Sequence, residues 1–135
     1  MEEDVRELIN NEVDRDDQKA IPIFYYVGHK FNDRVFVVVD MAEEKTLDVM
    51  VCDPLAIAPK TGEIVMGTLL PLGDELYFPI MDFYHFDFEA REELARYFHY
   101  YYDKYSKSSN VHETFIHVLS SMLQIERLAQ RISKQ

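Results

Sequence analysis

The chain is poor in cysteine and lacks tryptophan. Its 135 residues include one cysteine, Cys52, and no tryptophan. One cysteine cannot form an internal disulfide, which favours a reducing compartment. Cys52 follows Val51 in an apolar run and has no cation beside it. We therefore expect Cys52 to be a small buried side chain rather than a reactive thiol.

Glycine, serine and histidine are too scattered to form the common catalytic motifs. The four glycines occur singly, so the chain has no phosphate-cradling loop and no dinucleotide fingerprint. Every serine lies at position 106 or later and lacks the glycine neighbours of a nucleophile elbow. His112 and His117 are five residues apart, whereas zinc-binding helices space their histidines by four. We expect neither a cofactor nor a metal.

Positive charge is also scarce, and the net charge is -11 at pH 7. Nucleic acids and anionic membranes require a basic surface, so we expect neither as a direct partner. The last 40 residues carry a net charge of +3 and the first 95 carry -14. The acidity therefore belongs to the front of the molecule, and a basic protein is the partner that charge favours.

The chain has no segment that predicts export or membrane insertion. Three acidic residues follow Met1, which is the reverse of a basic signal-peptide start. The apolar run at residues 35–39 is far below the roughly 20 residues that a membrane-spanning helix needs. We expect a cytoplasmic protein.

The apolar pattern predicts an α+β fold in a single domain over residues 1–135. We expect an N-terminal helix, a twisted and mainly antiparallel sheet of four to five strands, and a C-terminal antiparallel helical hairpin. Residues 35–39 should lie at the centre of the sheet, and Gly28 should allow a bulge. The predicted strands lie near residues 21–31, 34–41, 47–52 and 63–70, with a further extended segment at 76–86 that Pro79 interrupts.

Apolar stripes mark the first and last predicted helices. Over residues 2–13 the stripe consists of Val5, Leu8, Ile9 and Val13. The last helix follows a capping residue, Asn110. Its stripe consists of Val111, Phe115, Val118, Met122, Ile125, Ala129 and Ile132. The stripe over residues 111–132 fits packing on the sheet, and it also fits a homodimer formed through this helix.

Two groups of residues are candidates for binding a protein partner. The first is a tyrosine-rich helical segment that includes Tyr97, Tyr100, Tyr101 and Tyr102. Successive helical residues are 100° apart, so these rings cannot all face one core. Core packing, a protein interface and a tyrosine-lined pocket all remain open. The second group is an acidic run with Asp14, Asp16 and Asp17, for which a solvated linker is the plainer interpretation.

His85 and Asp87 form the candidate polar site. In an extended strand both side chains point to the same side, and a carboxylate beside an imidazole can form a general base or half of a metal site. The structural interpretation, which we favour, makes His85 an edge-strand residue and Asp87 the N-cap of the next helix.

The sequence therefore favours a non-enzymatic, acidic protein-binding module. An inhibitor or immunity-type antagonist of a basic toxin or nuclease is its concrete form, because that role needs a small, acidic, cofactor-free protein. The alternatives are a ligand-binding or enzymatic domain with a cleft lined by Tyr, His and Asp, or a structural homodimer.

Overall fold

Seven strands form one mixed sheet in the computed structural model, which describes residues 22–73 and 75–133. The order across the sheet is β5-β6-β3-β2-β1-β4-β7. The strands are β1 (Ile23–Lys30), β2 (Val35–Asp40), β3 (Thr46–Met50), β4 (Ile64–Gly67), β5 (Leu69–Pro71), β6 (Leu76–Pro79) and β7 (Tyr84–His85). The predicted central run lies in β2, which is the middle strand. Gly28 lies at a break in the register between β1 and β2, as predicted.

The sheet differs from the prediction in strand number and in one pairing. The predicted fourth strand is divided at Thr68 into β4 and β5, and the segment at 76–86 gives two strands, β6 and β7. Pro79 is the last residue of β6 because proline cannot donate a ladder hydrogen bond. The pair β3 and β6 is parallel, and the other pairs are antiparallel. Alternation of apolar residues does not specify a partner strand, so the sequence could not predict this pair.

The connection from β4 to β5 requires the sheet to curl. Only Thr68 separates the two strands, yet β4 is sixth in the sheet order and β5 forms the opposite edge. In a flat sheet these positions would lie about 24 Å apart, at about 4.8 Å per strand. One residue spans only about 3.5 Å. The sheet must therefore curl until its two edges approach each other.

Two apolar cores lie on the two faces of the curled sheet. The core on the helical side includes Phe24 of β1 together with Phe98 and Met122 of the helices. The other core contains side chains of the strands together with Val51 and Phe83 but none from the helices, so it fills the inside of the curl. Tyr25 of β1 belongs to that inner core. Alternate residues of β1 therefore supply both cores.

The C-terminal part forms the predicted helical hairpin. A 3-10 turn (Phe88–Ala90) leads into α1 (Arg91–Ser106), and α2 (Val111–Ser133) follows after a short connection. Tyr105 and His117 stack near the connection at 4.8 Å between ring centroids. Phe98 and Met122 meet further from it in one core, so the helices run antiparallel. The α+β fold is thereby confirmed.

The predicted stripe of α2 is used largely within the chain. Val118 and Met122 are buried in the helical-side core, and Phe115, Ile125 and Ala129 pack against it. Val111 and Ile132, at the two ends of the stripe, are exposed.

Among the described residues, no helix is long and apolar enough to cross a membrane. The predicted N-terminal helix and Asp14, Asp16 and Asp17 lie outside the described residues.

We predict that Gly67→Ala destabilises the fold. A Cβ at Gly67 would lie 2.6 Å from Cδ1 of Phe83, a ring buried in the inner core. Displacing a packed ring should lower the free energy of unfolding by about 1–3 kcal/mol in urea denaturation.

The matched control is Gly28→Ala, also in a strand. A Cβ there would meet only ordinary contacts, the nearest being Val37 O at 3.7 Å. This variant should be neutral or slightly more stable, because alanine restricts the unfolded chain. Equal losses at both glycines would contradict the proposed contact with Phe83.

Candidate functional site

Four large apolar side chains are exposed together at one end of the sheet. Leu55 and Ile57 lie between β3 and β4, and Ile80 and Met81 lie between β6 and β7. Their exposed fractions are 89%, 75%, 46% and 76% respectively. Ile57, Ile80 and Met81 line a pocket of about 250 Å³. We call these four residues the apolar loop cluster.

The parallel pairing of β3 and β6 places the two loops side by side. Neighbouring parallel strands end at the same edge of a sheet. Thus the chain leaves β3 after Met50 and leaves β6 after Pro79 at adjacent points. The register pairs Asp48 with Leu76 and Val49 with Tyr77. The apolar loop cluster is therefore a consequence of the one strand pair that sequence alternation could not predict.

Local hydrogen bonds hold the loop between β3 and β4 at both ends. Asp53 Oδ1 accepts a hydrogen bond from Leu55 N at 2.9 Å, which forms an Asx turn. Glu63 Oε1 accepts one from Lys60 N at 3.1 Å. Gly62 has a φ of +90°, which glycine adopts without steric cost. The ends of the loop are fixed by local structure.

The charged side chains around this pocket are acidic. Asp53 and Asp82 line it, and none of the described residues that line it is lysine or arginine. His85 also lines the pocket. The cluster therefore combines apolar surface with an acidic rim.

His85 pairs with Glu63 rather than with Asp87. His85 Nδ1 lies 2.8 Å from Glu63 Oε1, and both side chains are largely buried. An ionised carboxylate can only accept a hydrogen bond, so Nδ1 is the donor. The pair ties edge strand β7 to the residue before β4. The sequence had no signal for this partner, which lies 22 positions away.

Asp87 has the capping role that the sequence favoured. Its side chain accepts a hydrogen bond from Glu89 N at 3.0 Å at the start of the 3-10 turn. Its own backbone N donates to Glu126 Oε2 at 2.6 Å. Tyr84 donates its hydroxyl proton to Glu126 Oε1 at 2.8 Å. Glu126, which the sequence analysis did not single out, thus joins α2 to the segment that precedes α1.

The four predicted binding tyrosines divide into two pairs. Tyr97 and Tyr100 are exposed, and their spacing of three places them near each other on α1. Tyr101 and Tyr102 are half-buried. Tyr101 stacks on Tyr105, and Tyr102 stacks on Phe98 with 5.7 Å between ring centroids. The first pair is therefore the more exposed of the two.

A groove of about 900 Å³ lies at the opposite end of the sheet, and three tyrosines line it: Tyr25, Tyr77 and Tyr102. The predicted polar residues His85 and Asp87 are not among its lining residues. Burial raises the pKa of the Tyr25 hydroxyl, and the nearby Asp40 carboxylate adds to the effect. Asp40 Oδ1 accepts hydrogen bonds from two backbone amides of the turn after β2. Asp40 therefore stabilises that turn.

The expectation that Cys52 is buried was wrong. Strand β3 ends at Met50, and Cys52 is exposed beside the pocket.

The sequence analysis did not identify the apolar loop cluster as a site. Its signal was present in the sequence, because Leu55 and Ile57 lie in a loop bounded by Pro54 and Pro59, where polar residues are usual. Within the described part of the chain, no three potential metal ligands are grouped together.

In comparisons with known proteins, no family model, no curated protein and no solved structure matches this chain.

We predict that the Tyr84 hydroxyl titrates late. Partial burial and the hydrogen bond to Glu126 raise its pKa to about 12. A raised pKa means that the fold favours the neutral phenol. The contribution of the neutral Tyr84 hydroxyl to the free energy of unfolding is complete below pH ~10, the pKa of an unfolded tyrosine. It is lost as the pH rises through the pKa of Tyr84 in the folded protein.

Carbon-13 NMR of labelled tyrosine rings can follow this titration, with Tyr84→Phe to assign the signal. Glu126→Gln removes the negative charge while retaining an acceptor, so it should lower the Tyr84 pKa. Glu113→Gln, on the exposed face of the same helix, is the control and should leave it unchanged. An unchanged pKa in Glu126→Gln would contradict the assigned cause.

Proposed function

We propose that the protein is a non-enzymatic binding module that holds a basic protein through the apolar loop cluster and its acidic rim. The concrete form of this role is a cytoplasmic inhibitor or immunity-type antagonist of a basic toxin or nuclease. The observation that carries the proposal is the exposure of four large apolar side chains in two adjacent loops.

The exposure of the cluster supports a protein partner. Single exposed apolar residues are ordinary, whereas a contiguous group rimmed by polar residues is typical of an interaction site. Burying each of these side chains against a partner would contribute up to about 1.5–3 kcal/mol. Because hydrogen bonds fix the ends of the loop with Leu55 and Ile57, less conformational entropy is lost on binding than for a free loop.

The charges support a basic partner. The net charge of -11 attracts a cationic protein from a distance, and Asp53 and Asp82 lie beside the apolar contact. Such steering raises the association rate, while the apolar contacts slow dissociation. An antagonist of a toxic protein needs both fast association and slow dissociation.

The structural roles of His85, Asp87 and Glu126 favour binding over catalysis. His85 is paired with Glu63, and Asp87 caps the 3-10 turn. Glu126 accepts two hydrogen bonds that hold α2 in place. Each of these groups has a hydrogen-bond partner within the fold, so each has a structural role that does not require catalysis.

Tyr97 and Tyr100 provide a second contact surface in this proposal. Exposed tyrosines supply a large contact area at a small entropic cost, and they are enriched in protein interfaces. If α1 takes part in binding, Tyr97→Ser with Tyr100→Ser should also weaken the affinity for the partner.

We predict that Ile57→Ser with Met81→Ser weakens partner binding at least tenfold, which corresponds to about 1.4 kcal/mol. The 135-residue chain would be used to capture partners from lysate of its own source. Mass spectrometry would identify them, and the purified partner would then be titrated against each variant. Both side chains are largely exposed, so the substitutions should leave the free energy of unfolding nearly unchanged.

The matched control is Ile132→Ser with Leu128→Ser, which removes exposed apolar groups from α2. It should bind the partner as the unsubstituted protein does. If the loop variant binds equally well, or if the captured partners are acidic, the proposed surface is wrong.

We also predict that the association rate falls steeply with added salt. Asp53→Asn with Asp82→Asn should reduce this dependence, and the asparagine at 53 can still accept the Leu55 amide proton. Asp48→Asn with Glu113→Gln removes the same charge from exposed positions that do not line the pocket. Stopped-flow measurements at several ionic strengths compare them, and a rate independent of salt would refute electrostatic steering.

A further inference from the structure

The groove at the other end of the sheet is apolar along most of its lining. It lies where β1, β3 and β6 begin and where the hairpin connection crosses. Its volume of about 900 Å³ is large enough to hold several side chains. Among its lining residues are Ile23, Leu47, Leu69, Phe115 and Val118. Apolar surface of this extent favours an apolar occupant.

The charged residues on the rim of the groove have partners within the chain. Lys45 Nζ forms an ion pair with Glu43 Oε2 at 3.1 Å. Asp40 Oδ1 accepts two backbone hydrogen bonds. The contacts observed on the rim thus do not call for a charged ligand.

The chain itself enters the described structure at this groove. Pro22, the first described residue, is one of the lining residues, and 21 residues precede it. Any apolar surface in those residues is therefore covalently held beside the groove. Attachment of this kind raises the effective concentration of the segment to the millimolar range or above.

The residues that precede Pro22 carry an apolar stripe in their sequence. The predicted helix over residues 2–13 places Val5, Leu8, Ile9 and Val13 on one face. Twelve helical residues span about 18 Å. Residues 14–21 can bridge up to about 26 Å between the helix and Pro22, so the stripe can reach the groove.

We propose that residues 2–13 dock in this groove of their own chain, with Val5, Leu8, Ile9 and Val13 against its apolar lining. Glu3, Asp4 and Glu7, which lie away from the stripe, then face water. Docking completes the cover of the helical-side core at the end of the sheet opposite the apolar loop cluster. The inference does not depend on the proposed function, because the two surfaces lie at opposite ends.

The absence of tryptophan from the chain allows a direct test in the 135-residue protein. A single reporter, Leu8→Trp, would lie in the docked face. The matched reporter, Asn11→Trp, would lie on the polar face of the same predicted helix. We expect blue-shifted emission and protection from acrylamide for Leu8→Trp, and solvent-exposed emission for Asn11→Trp.

A second substitution locates the docking surface. Val111 lines the groove and is exposed at the first position of α2, where an acidic residue is favourable. Val111→Asp in the Leu8→Trp protein should shift the emission toward that of Asn11→Trp. Ile132→Asp, at the other end of α2 and outside the groove lining, should leave the emission unchanged.

Several outcomes would overturn the inference. These are equal exposure of the two reporters, a Leu8→Trp emission that Val111→Asp does not change, and a blue shift that disappears on dilution. The last would indicate a second copy as the occupant. Circular dichroism of each variant verifies the fold, and Ile9→Trp serves as a second docked-face reporter if Leu8→Trp fails to fold.

Discussion

The single-residue connection between β4 and β5 is the constraint on which the rest of the structure depends. Because Thr68 alone joins strands at opposite sides of the sheet, the sheet must curl and enclose one face. The enclosed face becomes the inner core, and the outer face is left for α1 and α2 to cover. At Gly67, the ring of Phe83 from the segment before β7, the neighbour of β4, occupies the space that a side chain would need. Curvature thus determines both layers of packing.

The same topology gives the two ends of the sheet different surfaces. At one end, the parallel strands β3 and β6 release two apolar loops beside each other. At the other end, the beginnings of these strands and the hairpin connection surround the groove, where the chain enters at Pro22. Buried polar groups such as Glu63 and Glu126 mainly join elements within the fold. The most unusual exposed surface is the apolar loop cluster.

The candidate site could be predicted only in part. Asp87 as a cap and a mixture of exposed and packed tyrosines follow from local rules of helix geometry, so the sequence was sufficient for them. The pairing of His85 with Glu63 was beyond local rules, because it joins β7 to the residue before β4, a strand distant in sequence that lies beside β7 in the sheet. Prediction of the apolar loop cluster likewise requires knowledge of which strands are neighbours. Leu55 and Ile57 were visible as apolar loop residues, but their union with Ile80 and Met81 depends on which strands are neighbours.

The sequence by itself determined the α+β class, the central position of β2, and the hairpin of α1 and α2. These follow from apolar periodicity and capping residues, which act over a few positions of the chain. Tertiary structure alone decided the division at Thr68, the parallel pair of β3 and β6, and the exposure of Cys52. Strand partners and curvature are set by how the whole chain closes its two cores. A local pattern that alternates in the same way can satisfy several such arrangements.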